Sequence, residues 1–254
     1  MPEKVITGLT NGQLYGFRIF PRNMKNQYQT RMDRGTAEAT PRAGILLSSI
    51  PEGGMVKLTE NGAGVNFYVA KHDYESGLNG AGRTLVVRKD LVTRTKWEKN
   101  VVRHNYYSDS TVDIYLNNTY FPMLSTDLQE LIGETAIYYT PYYTNAVTTL
   151  TRKVFLLSMA ELGFSVFGAG YNKEGSSLPI YTSLLVVYMD GVAYGQWTRS
   201  PYTSGMFDAW CIESNGGSAN LDIDLTRGAR PAFTLPSTMQ FNPTPNSDGS
   251  YSPL

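Results

Sequence analysis

The sequence predicts an α+β fold, and three observations carry that prediction. Short runs of alternating apolar and polar residues recur through most of the chain, separated by turns rich in glycine and asparagine, the pattern of half-buried antiparallel strands. Two stretches, near residues 110–118 and 126–132, instead repeat apolar residues at helical spacing behind capping side chains. No segment of about 18 uninterrupted apolar residues occurs, so no membrane insertion is expected. At 254 residues, 41% of them hydrophobic, the chain can bury one substantial core beside a small appended module. It divides into a small β segment over 1–42, a main domain over 43–236 with a twisted antiparallel sheet, and a flexible Pro/Ser/Asn-rich tail over 237–254.

In the first segment, Leu14-Tyr15-Gly16-Phe17-Arg18-Ile19-Phe20 alternates after the turn Thr10-Asn11-Gly12, and Gly35 to Pro41 reads as a closing strand. Ile6-Thr7-Gly8-Leu9-Thr10-Asn11-Gly12-Gln13-Leu14-Tyr15 resembles the last third of a fibronectin type III domain, which implies Tyr15 as the corner tyrosine. The strands that should precede it are missing. The run from Leu14 to Ile19 is therefore expected to pair with another segment or another chain.

The main domain opens with a hairpin signal, Gly53 to Leu58 and Val65 to Ala70 around Asn61-Gly62-Ala63-Gly64, with Val65, Phe67 and Val69 facing the core. Thr84 to Arg88 is a further strand. Ser110 fits an N-cap, with Val112, Tyr115, Leu116 and Tyr120 at helical spacing; Thr126 and Gln129 fit a capping box before Leu128, Leu131 and Ile132, and Gly133 a stop. Strands resume at Thr135 to Tyr139, Ala146 to Thr149 and Lys153 to Ser158. Ser158 and Glu161 form a second capping box, of a one-turn helix ended by Gly163. Gly168 to Ser177 reads as a loop, Ser183 to Tyr188 as a buried strand.

The stretch from Gln196 to Leu235 organises the rest. It opens with Trp197-Thr198-Arg199-Ser200-Pro201 and closes with Gly228-Ala229-Arg230-Pro231-Ala232-Phe233. Between them, Phe207 to Glu213 and Leu221 to Leu225 flank Asn215-Gly216-Gly217-Ser218, a hairpin turn that needs positive φ. Alternation sends Leu221, Ile223 and Leu225 one way and Asp222 and Asp224 the other. Tyr202, Met206, Phe207 and Trp210, among small polar residues, either form a contact surface or complete a core. Asp208 and Trp210 share a face, inside or outside. Trp197, Arg199 and Arg230 read as a structural clasp, with guanidinium groups bonded to carbonyls.

Composition narrows the chemistry. With 22 basic and 22 acidic residues and no basic patch, nothing attracts nucleic acid. The single cysteine, Cys211, excludes an internal disulfide or multi-cysteine zinc site and reads as a small buried hydrophobe. His72 and His104 lack a third ligand or a nucleophile motif and read as surface residues. Asp222 and Asp224 either offer oxygens to calcium or, the simpler reading, solvate a hairpin. Gly53-Gly54 and Gly77 to Gly82 are turns, since no Lys-Ser/Thr or helix start follows. Met1-Pro2-Glu3-Lys4 lacks the basic and apolar parts of a signal peptide, so export by that route is not expected. No cofactor and no enzymatic activity are expected.

Tyr107-Ser108-Asp109-Ser110 leading to Tyr115-Leu116-Asn117, then Val154 to Ser158, Trp197 to Pro201 and Arg230 to Phe233, are similar in order and spacing to a phage and bacterial C-type-lectin-like domain. The resemblance spans residues 44–236. That family is related to the formylglycine-generating-enzyme fold and to the variable proteins of diversity-generating retroelements. One cysteine does not support the oxidase chemistry of the first relative. Asn215, Asn220 and Tyr202 alone make a poor signature of the retroelement mutagenesis of the second. The resemblance implies a receptor-binding module of a phage tail or similar appendage, on the virion or a cell surface, recognising a host-surface glycan or protein and assembled as a homotrimer with other tail or virion proteins. The alternative is a structural virion protein without a ligand. The displayed positions would be Tyr202, Phe207, Asp208, Trp210, Asn215, Asn220, Asp222 and Asp224, aromatic rings for contact area beside Asp and Asn for directional bonds.

Overall fold

A computed structural model describes residues 43–100, 105–141, 146–165 and 174–254, together with the backbone of 15–18 and 36–39. The chain divides into two compact units, residues 1–44 and 45–254. In the first, β1 (Tyr15–Arg18) pairs antiparallel with β2 (Thr36–Ala39), Tyr15 opposite Ala39, so the expected strand finds its partner within its own unit. The Ile6 to Gly12 part of the fibronectin-like pattern, the side chain of Tyr15 and His104 lie outside the described residues.

The second unit is mixed helix and sheet, mostly β. In chain order its elements are β3 (Ile45–Leu46), β4 (Met55–Glu60), β5 (Ala63–Lys71), α1 (Ser76–Asn79), β6 (Arg83–Arg88), β7 (Thr93–Lys96), α2 (Thr111–Ile114), α3 (Thr126–Leu131), β8 (Thr135–Tyr139) and β9 (Thr148–Arg152). There follow α4 (Tyr181–Leu185), β10 (Val187–Met189), β11 (Val192–Tyr194), β12 (Gln196–Pro201), β13 (Asp208–Ile212), β14 (Ser218–Asp222), β15 (Thr226–Ala229), β16 (Ala232–Pro236), β17 (Gln240–Phe241) and β18 (Ser250–Tyr251). One five-stranded sheet runs β16-β6-β5-β4-β18, the other β14-β13-β12-β15-β7. All neighbours are antiparallel except β4 with β18 and β12 with β15. Asn61 and Gly62, both at positive φ, turn β4 into β5, and Phe67 and Val69 are buried on the core face as their spacing requires. Phe67 meets Phe233 with ring centroids 5.3 Å apart, and Trp97 meets Tyr107 at 6.0 Å.

Ser110 caps α2 as expected, its Oγ accepting from Asp113 N at 3.3 Å. The helix then continues as a π-helical turn, Tyr115–Tyr120, instead of ending near 118. Asn117 explains the change: its Nδ2 donates to Asp113 O at 3.0 Å, the carbonyl its own N–H would use in an α-helix, and to Val154 O at 2.9 Å.

Several expectations need correction. The second helix is preceded by Ser125, not capped by Thr126, and Gln129 Nε2 reaches back to Leu124 O at 2.7 Å. Gly133 does not adopt a left-handed stop; the Arg83 guanidinium instead takes Leu131 O, from 3.2 Å, and an added Cβ at Gly133 would lie 2.9 Å from it. The capping box of Ser158 and Glu161 is present in both directions, at 2.9 and 3.1 Å, with Gly163 at φ 77°. Lys153 to Ser158 is no strand; it meets the sheets at the bridge of Phe155 with Ala232 and at Leu157 O, which accepts from Arg199 N at 3.0 Å. Ser183 to Leu185 belong to a helix because tertiary bonds hold its end: Leu184 O accepts from Gln196 Nε2 at 2.7 Å and Arg230 Nη1 at 2.6 Å. The tail over 237–254 is no flexible linker. Phe241 is fully buried, β17 pairs with β3, β18 with β4, and Lys57 bridges to Asp248 at 2.7 Å.

Candidate binding surface

Two buried arginines fix the frame under the hairpin of β13 and β14. Arg230 sends Nε to Arg88 O at 2.7 Å, Nη1 to Leu184 O at 2.6 Å and Nη2 to Lys89 O at 2.8 Å. Its burial, with only carbonyls as partners, pushes its pKa down to about 10. Arg199 donates to Tyr138 O and Leu156 O and grips the Glu161 carboxylate. Ser158 Oγ and Arg199 Nη2 both donate to Glu174 O, Thr140 N donates to Glu174 Oε1 at 2.6 Å, and Ser200 Oγ bonds to Glu174 Oε2. Trp197 Nε1 donates to Thr95 O at 3.0 Å. Both arginines bond carbonyls as their sequence context implied, with the Glu161 carboxylate as a further partner of Arg199.

From β12 the loop 202–207 departs. Asn105, buried and nearly a hundred residues away in sequence, closes it: Nδ2 lies 2.9 Å from Tyr202 O, 2.9 Å from Gly205 O and 2.7 Å from Asp208 O, so one of its two N–H groups is shared. Asn105 N also donates to Met206 O at 3.0 Å. Satisfying these carbonyls by a buried amide holds the loop in one shape. At its crest Met206 and Phe207 stand 37% and 41% exposed, while Tyr202, half-buried, packs edge-on against Trp210 at 5.4 Å. A Cβ on Gly205 would meet Asp208 Oδ2, so any larger residue there would displace the Asp208 carboxylate.

Register places Asp208 directly opposite Asp222 and Trp210 opposite Asn220, so all four side chains share one face. Burial raises the Asp208 pKa above the ordinary carboxylate value, and the Asp222 charge raises it further. Three expectations fail at this level. Trp210 is 9% exposed, so it belongs to the core beneath the surface. β14 ends at Asp222 in a turn closed by Leu225 N to Asp222 O at 3.0 Å, which leaves Leu225 exposed and takes Asp224 off the strand face toward Lys96, 3.7 Å away. Asn215 sits in the hairpin turn at the other end, its Oδ1 accepting from Gly217 N. Thus Tyr202, Phe207, Asp208, Asn220 and Asp222 gather around the clamped loop, and Asn215 and Asp224 do not join them.

Among the described residues no group of three or more His, Cys, Asp or Glu side chains is placed to hold a metal ion. His72 is no free surface histidine, since its two ring nitrogens lie 3.0 Å from Thr84 Oγ1 and 3.0 Å from Ile50 O. Cys211 is buried as expected, its thiol pushed up to about 12 by that burial and by the charge of Glu213.

Residues 81–237, from the loop before β6 to the end of β16, match the family described as a domain of unknown function, DUF6273. The chain belongs to this family. The DUF6273 segment contains the clasp, the clamped loop and both carboxylates, but β4, β5 and β18 of the first sheet lie outside it. No curated protein and no solved structure matches the chain.

Proposed function

We propose that this DUF6273 protein is a recognition module, acting by binding and not by catalysis. Its surface around Phe207, Asp208, Asn220 and Asp222 takes a glycan or protein on a host surface. The observation that carries the reading is the Asn105 clamp, which bonds the loop whose crest exposes Met206 and Phe207. Pre-organised apolar area next to directional acceptors is the economy of a binding face, since little order is lost when a partner arrives. The order of motifs that resembles C-type-lectin-like domains supports the same reading, with a phage tail or similar appendage as the setting and a homotrimer as the assembly. In that setting many weak contacts add through multivalency.

Titration of the purified chain onto host cells or purified envelope tests it. Binding that is lost in Phe207→Ala and Asp222→Asn proteins of unchanged thermal midpoint supports the module. A chain that incorporates into particles but binds no envelope instead favours a structural role.

A further inference from the structure

A groove lies away from the clamped loop and shares none of its residues. Of about 970 Å³, it runs between the connector from β6 to β7 and the β10–β11 hairpin, lined by Lys89, Asp90, Arg94, Tyr188 and Asp190 among others. Both walls are built firmly. Arg230 holds the connector from beneath by Arg88 O and Lys89 O, and Leu91 N donates to Tyr188 O at 3.0 Å, which ties the hairpin to it. Asp190 and Gly191, both at positive φ, make the tight turn at the hairpin tip.

The charged side chains along this groove carry both signs, and of them Asp90 also acts on the buried Arg230. Lys89 and Arg94 are cations, Asp90 and Asp190 anions, and none of the four takes part in an ion pair among the described residues. Arg88, the other charged residue of the lining, is fully engaged by Glu60 and by the carbonyls of Asp90 and Leu91. Arg94 instead rests over the Tyr194 ring, 5.3 Å from its centroid, which keeps its guanidinium beside the hairpin. Tyr188, 46% exposed, adds apolar surface to the same wall.

A ligand with one sign of charge would satisfy two of these groups and face the other two with like charge. A ligand with both signs satisfies all four. We propose that the groove binds a small zwitterion, its phosphate or carboxylate held by Lys89 and Arg94 and its protonated amine by Asp90 and Asp190, with the intervening carbons against Tyr188. A volume near 970 Å³ is ample for such a molecule. This site is separate from the clamped loop and stands or falls independently of it.

Calorimetric or NMR titration of the whole chain with phosphoethanolamine, β-alanine, inorganic phosphate and ethanolamine tests the proposal, the first two separating a phosphate from a carboxylate source. The expected result is that at least one zwitterion binds about tenfold more tightly than either single-charge probe. Lys89→Gln and Asp190→Asn should each weaken that binding about tenfold with the thermal midpoint unchanged. Both side chains lie outside the core, and the carbonyl of Lys89 that Arg230 needs survives the substitution. Phosphate or ethanolamine binding as tightly as the zwitterions overturns the proposal. So does absence of zwitterion binding at millimolar concentration, or affinity that survives both substitutions.

Discussion

Arg199 and Glu161 meet as a bidentate pair, Nη1 to Oε2 at 2.6 Å and Nη2 to Oε1 at 2.9 Å, with neither side chain exposed to solvent. Tyr74 Oη donates to the same carboxylate at 2.5 Å. Removing one member leaves a buried charge without its counter-ion, so Glu161→Leu or Arg199→Met should each cost about 3–5 kcal/mol in denaturant unfolding. The double variant Glu161→Leu with Arg199→Met should lose clearly less than the sum. Strict additivity would refute the coupling.

Glu174 gives the protein a pH signature. Burial lifts its carboxyl above the ordinary value of 4.5, while the Arg199 charge and the Ser200 and Thr140 donors pull it the other way. With the folded pKa raised, ionisation is harder in the folded state than in the unfolded chain. Its contribution to stability is therefore greatest below about 4.5 and declines as pH rises through the folded pKa. The thermal midpoint of the wild type relative to Glu174→Gln should fall over that interval, and a difference that is flat or rises with pH would contradict it.

Phe207 and Trp210 should separate binding from folding. Phe207→Ala removes an exposed ring and should leave unfolding free energy within about 0.5 kcal/mol while weakening surface binding by about 1 kcal/mol or more. Trp210→Ala empties core volume and should cost about 3–5 kcal/mol. A stable Trp210→Ala protein would show that its ring is not needed beneath the surface.

Asn105→Ala should free the loop without dissolving the core. It removes the side-chain donor of three carbonyls, of which Asp208 O and Tyr202 O keep backbone donors, at about 1–3 kcal/mol. Hydrogen exchange at Gly205 and Tyr202 should accelerate far more than at Val86 in the first sheet. Uniform acceleration would mean that Asn105 supports the whole fold.

The tail can be tested in the same way. Deleting residues 237–254 uncovers the site of Phe241 and the edge of β4, so aggregation is expected. A soluble truncated chain with an unchanged thermal midpoint would contradict this.

Local rules found what local chemistry determines. Asn61-Gly62 and Asn215-Gly216 turned hairpins where spacing said they would, the capping pair of Ser158 and Glu161 formed both bonds, and Arg230 met carbonyls. Where a partner distant in sequence decides, the reading failed. Leu184 is helical through bonds from Gln196 and Arg230, and the second helix ends on Arg83 instead of on Gly133. The tail looked like a linker because prolines and serines surround the two rings, Phe241 and Tyr251, that anchor it. Of the surface, the shared face of Asp208 and Trp210 was legible from alternation, but burial of one end and exposure of the other was not. Asn105 carried no local signal, since its acceptors lie 97 to 103 residues away.

The pairing of β3 with β17 and of β4 with β18 brings the first strands of the main unit against its last. Synthesis is vectorial, so a nascent chain that has exposed residues 45–236 still presents β4 with one side bare and a slot where Phe241 belongs. The first sheet lacks its edge strand β18 until residue 251 clears the ribosome. During that interval the bare edge is open to pairing with a neighbouring nascent chain, a hazard that grows with polysome density and that slow, non-local strand pairing prolongs.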